Sequence, residues 1–185
     1  MSAAVSIAMA RRGAVWFVVI LIAALAADQG SKAWARTLPV QPAGCAQPAA
    51  LLAFTCRGVP QPVIDGLWDW ELAYNPGIAF STFASRGGMQ VILGAVAAIA
   101  LIGITVLALR TGPDERWKRA GYALIASGAL GNLVDRVRDG AVTDFVRWRL
   151  HEHRWPIFNV ADAALLVGVA VLLLAGRRSR SAAAA

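Results

Sequence analysis

The chain has 185 residues, of which 58% are hydrophobic and 16% are charged, with a formal net charge of +7. In soluble globular domains, about a quarter of all residues are charged. Here the charges stand in blocks between long apolar runs, which is typical of a membrane protein with several spans. The basic blocks flank these runs and do not interleave with aromatic residues, which argues against nucleic-acid binding. The pattern predicts one integral membrane domain over residues 1–185.

Four apolar segments are candidates for helices that cross a hydrocarbon core about 30 Å thick. They cover about residues 13–32, 87–109, 120–134 and 157–175. The first also resembles a cleavable signal peptide, because two arginines precede it and small residues close it, but the polar residues directly after it favour a retained span. The third is short and rich in Gly and Ala, which allows neighbouring helices to approach closely.

Four spans would place both termini on one side of the membrane. Basic clusters precede the first span, lie between the second and third, and follow the fourth, so the positive-inside bias predicts cytoplasmic termini. The arginines between residues 136 and 154 would then lie outside, against this bias. The sequence gives no account of the Arg-rich segment 147–154 beyond contact with lipid headgroups. Residues 176–185 are predicted to form a basic, disordered tail.

Residues 36–86 form the longest segment between spans and are rich in proline. Within it, "LWDWELAYN" alternates apolar and polar side chains, which predicts a short strand in a small β-rich lobe at the extracytoplasmic surface. Trp68, Trp70 and Tyr74 would suit either the interfacial aromatic belt or packing inside the lobe. Cys45 and Cys56 would close a short loop, and the sequence allows either a disulfide or free thiols.

Polar residues near the span ends are functional candidates, because ionisable groups at membrane depth are costly. Asp28 and Lys32 are four residues apart and share a helical face. A structural ion pair, or a lysine that extends towards the headgroups, would explain them equally well. Asn75 begins an Asn-Pro-Gly turn signal, so turn chemistry competes with a role in binding a peptide backbone.

Two more polar groups end the third span and begin the fourth. They consist of Asn132, Asp135 and Arg136 on one helical face, and of Asn159 and Asp162 on another. A tight turn at Asp139-Gly140 would return the chain so that Asp144 and Asp162 lie near the same membrane surface. A buried structural network would explain either aspartate taken alone.

Other chemistries fit the sequence poorly. His151 and His153 lack the i, i+4 spacing of a zinc-protease helix, and no glycine-rich phosphate loop occurs. A serine next to Lys32 in space would form a Ser/Lys dyad, for which Ser31 and Ser81 are available, but neither stands in a supporting context. The sequence predicts no metal site and no cofactor.

Five sequence blocks, in this order along the chain, resemble the signature blocks of the bacterial lipoprotein signal peptidase (signal peptidase II) family. They are "DQGSK" (28–32), "NPGIAFS" (75–81), "GALGNLVDR" (128–136), "VTDF" (142–145) and "FNVADAAL" (158–165). The resemblance implies an all-α membrane protein with four transmembrane helices, a small extracytoplasmic β-cradle lobe before the second span, and an outer helix before the fourth. The lobe at 37–70 is longer than the family's usual pattern.

The resemblance also implies a function. It predicts an aspartic endopeptidase that removes the signal peptide from diacylglyceryl-modified prolipoproteins, cutting just before the lipid-bearing cysteine, with Asp144 and Asp162 as the catalytic pair. The supporting polar residues that match the family are Asp28, Lys32, Asn75, Asn132, Arg136 and Asn159. Asp135, Arg138 and Asp139 are expected to orient other groups or to be solvated.

The expected partners are the lipid-modified prolipoprotein and membrane lipids. The expected location is the bacterial inner membrane, with the active site near the extracytoplasmic surface and the chain acting as a monomer. A small proton-coupled carrier that uses Asp28, Asp144 and Asp162 as relay acids is the alternative from another class. Four spans are few for a carrier, and no pseudo-symmetric halves are visible.

Overall fold

The computed structural model describes residues 3–45, 48–52, 55–77, 88–112, 115–150 and 153–183. These residues form four long helices, one short helix and two small β-sheets. The long helices are α1 (Ala3–Ala35), α3 (Gly88–Arg110), α4 (Arg116–Asp139) and α5 (Val160–Ala183), and the short helix is α2 (Ala49–Leu52).

Within the described residues, three helices contain a stretch long and apolar enough to cross a membrane. The stretches are Arg12–Ala35 in α1, Val91–Arg110 in α3 and Val160–Arg177 in α5. The sequence predicted a further span at 120–134. Helix α4 covers these residues, but it is less apolar than the other three long helices and is not among the three candidate spans. The physical reason is its position: α4 packs against α1, α3 and α5, so its small and polar residues are shielded by the other helices.

Contacts between named residues give the direction of each helix. Lys32 of α1 contacts Asn132 of α4, and Gly13 of α1 lies against Arg119 of α4, so these two helices run the same way. In α5 the order is reversed, because Gly128 of α4 lies beside Ala161 and the preceding part of α4 lies beside Leu172. We call the end where α1 and α4 finish and α5 begins the site end, and the opposite end the far end.

The carboxyl-terminal segment differs from its prediction. A disordered tail was expected at 176–185, but α5 continues as helix to Ala183. Alanine and arginine have high helix propensities, and no proline follows Gly176, so the helix is not interrupted there. The prediction is therefore wrong for residues 176–183.

The β-rich lobe sits at the site end and contains two antiparallel sheets. In the smaller sheet, β1 (Val40–Gln41) pairs with β2 (Arg57–Gly58). The larger sheet has the order β3 (Gln61–Ile64), β4 (Trp68–Asn75), β5 (Val142–Leu150) and β6 (His153–Arg154). The strand expected from "LWDWELAYN" is thus confirmed as β4.

The resemblance implied an outer helix before the fourth span, and this prediction is wrong. Residues 142–150 form β5, and no helix occurs in the described parts of segment 141–159. β5 opens with Val, Thr, Asp, Phe and Val, a run in which β-branched and aromatic residues favour a strand. It pairs with β4, so that Ala73 lies opposite Asp144 and Asn75 lies opposite Val142.

The interior of the lobe uses the aromatic residues that the sequence left open. Trp68 and Trp70 pack against buried Phe145, and Tyr74 is buried with Leu72. All three rings therefore take part in packing inside the lobe. Cys45 and Cys56 are joined as a disulfide, with 6.3 Å between their Cα atoms.

Candidate active site

Two chain reversals bring Asp144 and Asp162 to the same place. Helix α4 ends at Gly140, whose φ of 70° is left-handed and whose N–H donates to Arg136 O. Glycine adopts this conformation without a side-chain clash, which makes it the usual residue after a helix. The predicted turn at Asp139-Gly140 is confirmed, and the chain enters β5, which carries Asp144, directly after it.

Asp162 lies in the first turn of α5, where a reciprocal pair of hydrogen bonds fixes it. Its backbone N–H donates to Asn159 Oδ1 at 3.0 Å, and the N–H of Asn159 donates to Asp162 Oδ2 at 3.3 Å. This is the arrangement of a capping box, in which two residues three apart satisfy each other's backbone donors. The spacing of Asn159 and Asp162 therefore orients the carboxyl group as well as starting the helix.

Asparagine amides connect the two candidate catalytic carboxyl groups. Asn159 Nδ2 donates to Asp144 Oδ1 at 2.6 Å and to Asn132 Oδ1 at 3.2 Å. Asn132 Nδ2 in turn donates to Asp162 Oδ1 at 2.9 Å. Asn75 Nδ2 donates to the second oxygen of Asp144 at 3.2 Å. Hydrogen bonds therefore lead without a break from Asp144 through Asn159 and Asn132 to Asp162.

Burial changes the acidity of Asp144. Loss of solvent around the carboxyl group, and then the nearby charge of Asp162, raise the pKa of Asp144 from 3.8 to about 7. The hydrogen bonds from Asn159 and Asn75 oppose this shift, because they stabilise the ionised form. Below a pH of about 7, Asp144 therefore keeps a proton that an exposed aspartate would have lost.

Lys32 lies at the centre of a second, fully buried cluster. Its ammonium is 2.9 Å from Asp28 Oδ2, 3.1 Å from Asp135 Oδ2 and 3.0 Å from Asn132 Oδ1. Lys32 and Asp135 are both inaccessible to solvent. Gly131 allows this approach, since a Cβ there would lie 2.3 Å from Asp28 Oδ2. The sequence allowed either an ion pair between Asp28 and Lys32 or a lysine that extends towards the headgroups. The structure has the ion pair, and Lys32 does not extend to the surface.

The two carboxylates of this cluster also hold the backbone beside each candidate catalytic residue. Asp28 Oδ1 accepts a hydrogen bond from Ala161 N at 2.9 Å, one residue before Asp162. Asp135 Oδ2 accepts one from Thr143 N at 2.9 Å, one residue before Asp144. The Lys32 cluster thus fixes the main chain at both positions.

Arg36 belongs to the same network and was not identified from the sequence. Its Nη2 donates to Thr143 Oγ1 at 2.7 Å and to Asp139 Oδ2 at 3.1 Å. The sequence signal was present: Lys32 and Arg36 are one helical turn apart, and so are Asp135 and Asp139, so two basic residues face two acidic ones. Asp135 is buried, which excludes the solvated role and leaves the orienting one.

The remaining predicted residues lie at the border of the site. Arg136 Nη1 donates to Asn132 O at 3.2 Å, within its own helix, and is half-exposed. Asn75 is exposed and also accepts a hydrogen bond from Gly77 N, so it fulfils both the turn role and a contact with Asp144. Residues 78–81 of the "NPGIAFS" block lie outside the described residues.

Solved structures with the same fold are membrane enzymes. One, described as "Bacterial membrane enzyme structure by the in meso method at 1.9 A resolution", superposes with a TM-score of 0.68 at 23% identity, covering 86% of this chain and 90% of that chain. A second, described in the same words at 2.3 A resolution, has a TM-score of 0.66 at 22% identity. At this identity the likeness establishes the fold alone.

Sequence comparison identifies the family. The family model described as "Signal peptidase (SPase) II" matches residues 20–177. The lipoprotein signal peptidase of Xanthomonas campestris pv. campestris (strain 8004) is 38% identical over 160 residues, covering 84% of this chain and 86% of that protein. The lipoprotein signal peptidase of Xylella fastidiosa (strain 9a5c) is 37% identical over 156 residues, covering 83% of each. The chain belongs to the signal peptidase II family, so it is a peptidase of the membrane, and the family expected from the five sequence blocks is confirmed.

Proposed function

We propose that the protein is an aspartic endopeptidase in which Asp144 and Asp162 are the catalytic pair. The observation that carries this proposal is the continuous set of hydrogen bonds from Asp144 through Asn159 and Asn132 to Asp162. The raised pKa of Asp144 supports it, because a pair of carboxyl groups that shares a proton contains both an acid and a base at neutral pH.

The proposed reaction follows from this division of roles. The ionised carboxylate takes a proton from a water molecule, whose oxygen attacks the scissile carbonyl carbon. The protonated carboxyl group donates its proton to the carbonyl oxygen, which gives a neutral tetrahedral intermediate. The C–N bond then breaks as the carboxyl group that took the water proton gives it to the leaving nitrogen. One hydroxyl of the intermediate returns its proton to the other carboxylate, so that a carboxylic acid forms and the pair regains its starting state. Asn132, Asn159 and Asn75 hold the two acids in position during these transfers.

The proposed substrate is a diacylglyceryl-modified prolipoprotein, cut just before its lipid-bearing cysteine. The names of the relatives, which are lipoprotein signal peptidases, support this assignment. The location of the carboxyl groups supports it as well, since they lie at the end of a helical bundle with exposed apolar side chains. A peptide anchored in the membrane by a lipid and by its apolar signal segment would meet water at this level.

We also propose that α4 is a fourth span, shielded by α1, α3 and α5, and that both termini are cytoplasmic. The directions of the helices support a common side for the ends of the chain. α1 and α4 run one way and α5 the other, and α3 runs against α4, because Gly94 near the start of α3 lies beside Leu133 near the end of α4. The positive-inside bias favours the cytoplasm. The aspartates and the lobe would then face the outside of the inner membrane. The protein is proposed to act as a monomer without a cofactor.

The test is cleavage of a lipid-modified precursor by the purified protein in detergent. The parent should release the signal peptide, and Asp144→Asn and Asp162→Asn should not. Asp65→Asn is a matched control, because Asp65 is an exposed aspartate in the lobe and should leave the rate unchanged. A proton-coupled carrier would predict no cleavage by the parent and solute uptake in proteoliposomes.

A further inference from the structure

A groove with apolar walls lies between α1 and α4 at the far end of the bundle. Its volume is about 490 Å³. One wall consists of Trp16, Phe17 and Ile20 of α1, and the other contains Trp117 and Ala120 of α4. The indole of Trp16 is 65% exposed and that of Trp117 is 52% exposed. The groove is separate from the candidate catalytic residues and takes no part in the proposed reaction.

Arginines line the same groove. Arg116 is exposed and its guanidinium lies 5.7 Å from the centre of the Trp117 ring. Arg119 is buried and donates to Thr111 O and Gly112 O, each at 3.0 Å, which fixes its charge beside the groove. Arg12 is exposed and precedes Trp16 by one helical turn, so it extends the positive charge along the same face.

Glu115, the acidic residue described at the start of α4, offsets only part of this charge, through its interaction with Arg119. Glu115 precedes Arg116, but it forms an ion pair with Lys118 and accepts a hydrogen bond from Gly112 N at 3.0 Å. Its partners therefore satisfy its carboxylate within the turn that joins α3 to α4. Arg116 and Arg119 therefore line the groove, and Arg12 lies one helical turn before Trp16 of its α1 wall.

The position of the groove along the bundle places it in the leaflet away from the aspartates. Trp16 precedes Lys32 by about 16 residues, and Arg116 precedes Asn132 by the same number, which corresponds to about 24 Å of helix. Lys32 and Asn132 are in contact at the site end, so the groove lies most of one hydrocarbon thickness, about 30 Å, away from it. In a bilayer, arginines at this level would reach the phosphates of the opposite leaflet.

We propose that this groove binds one anionic phospholipid of the leaflet opposite the candidate active site. An acyl chain would lie against Trp16, Phe17 and Ile20, while the phosphate contacts Arg116 and is attracted by Arg12 and Arg119. Basic pockets between transmembrane helices are suited to anionic headgroups. A zwitterionic headgroup carries its own positive charge and so gains less from three arginines, and a free phosphate gains nothing from the apolar walls.

Native mass spectrometry of the full chain in neutral detergent tests this proposal. The delipidated protein is offered phosphatidylglycerol or phosphatidylcholine with identical acyl chains. We expect the parent to retain one phosphatidylglycerol in clear preference to phosphatidylcholine. Arg116→Gln should reduce this retention about fivefold, the effect expected for one arginine near an anionic lipid surface. Arg110→Gln is the matched control: it is an exposed arginine at the same end that does not line the groove, and retention should not change.

A second variant separates the apolar contact from the charge. Trp16→Ala removes part of the wall without changing any charge, and it should lower retention of phosphatidylglycerol while the protein still cleaves its substrate. Equal retention of both lipids by the parent, or an equal loss in Arg116→Gln and Arg110→Gln, would overturn the proposal. So would a dimer that buries Trp16 and retains no lipid, since a second copy would then occupy the groove.

Discussion

The buried ammonium of Lys32 lies 3.1 Å from the carboxylate of Asp135, whose other contacts include the N–H of Thr143 at 2.9 Å. The same ammonium binds Asp28, which accepts the N–H of Ala161. One cation therefore holds both backbone segments that carry the candidate catalytic acids. The position of Asp144 relative to Asp162 depends on a side chain that contacts neither of them by a hydrogen bond in the described structure.

Lys32→Met is expected to destabilise the protein and abolish cleavage. It leaves Asp28 buried without a counter-ion and leaves Asp135 only the more distant Arg36 and Arg138, at 3.4 and 3.8 Å. Removing one partner of a buried ion pair typically costs about 3–5 kcal/mol. Thermal unfolding in detergent and the cleavage assay measure the two effects. Lys118→Met is the control: Lys118 pairs with Glu115 at a partly exposed position, where a loss of at most about 1 kcal/mol is expected. Equal unfolding temperatures for the two variants would contradict this role of Lys32.

Asp135→Asn should impair cleavage more than Asp139→Asn, and both should impair it less than loss of Asp144 or Asp162. Asp135 is fully buried against Lys32 and holds Thr143 N. Asp139 is partly exposed and pairs with Arg36 and Arg138, so water can replace its contacts. Comparison of kcat/KM for the two variants checks this order, and the reverse order would show that the buried carboxylate does not position Asp144.

Local patterns in the sequence predicted the helices, the strand at β4 and the i, i+4 pair of Asp28 and Lys32. They predicted less where pairing between distant segments decides the structure. Residues 142–150 form a strand because β4 provides a pairing partner. The two strands are far apart in sequence: Asn75 of β4 and Asp144 of β5, which share a hydrogen bond, are separated by 69 residues. Helix α4 has too few apolar residues to stand alone in lipid, and only the helices around it explain its composition.

The candidate site shows the same division. Side-chain type and position near the span ends made Asp144, Asp162 and the three asparagines functional candidates, and the family resemblance implied which two form the catalytic pair. Burial was not readable from the sequence, so an orienting and a solvated role stayed open for both Asp135 and Asp139, although of the two only Asp135 is inaccessible to solvent. The bonds from Asp28 and Asp135 to backbone N–H groups were also unpredictable, because every residue except proline has that donor and only the fold selects which one is used.

The disulfide between Cys45 and Cys56 is expected to affect stability and not catalysis. It closes a loop in the lobe, and neither cysteine contacts a candidate catalytic group in the described structure. A Cys45→Ser, Cys56→Ser double variant should unfold at a lower temperature, with a loss of about 2–4 kcal/mol, and should cleave at the parental rate while folded. A folded double variant without activity would show that the loop has a part in the reaction.

Cleavage should decline as the pH rises above about 7. The pKa of Asp144 is raised to about 7, so its proton is present below that pH and lost above it. The hydrogen bond from Asn75 lowers this pKa, and its removal in Asn75→Ala should therefore move the alkaline limb of kcat/KM to higher pH. The measured quantity is the pH at the midpoint of this alkaline limb, which does not depend on the maximal value of kcat/KM. Gln61→Ala, in the same lobe, should leave the limb in place, and a shift to lower pH in Asn75→Ala would exclude Asp144 as the titrating acid.

The stability of Asp144→Asn follows from the same shift. A folded pKa above the ordinary value of 3.8 means that folding takes up a proton between pH 3.8 and about 7, so Asp144 increasingly opposes folding as the pH rises through that range. Asparagine has no charge to desolvate. The Asp144→Asn protein should accordingly be at least as stable as the parent at pH 7 and above, which makes it a folded reference for the catalytic test.

Asp144→Asn and Asp162→Asn should each reduce cleavage by about 10²–10⁴-fold, the usual contribution of one general acid or base. The double variant should lose far less than the product of the two single losses, because neither acid can act without the other. Single-turnover rates on a lipid-modified precursor measure this, with the unfolding temperature of each variant recorded alongside. Fully multiplicative losses would mean that the two groups act independently, and a folded single variant that cleaves near the parental rate would remove that aspartate from the mechanism.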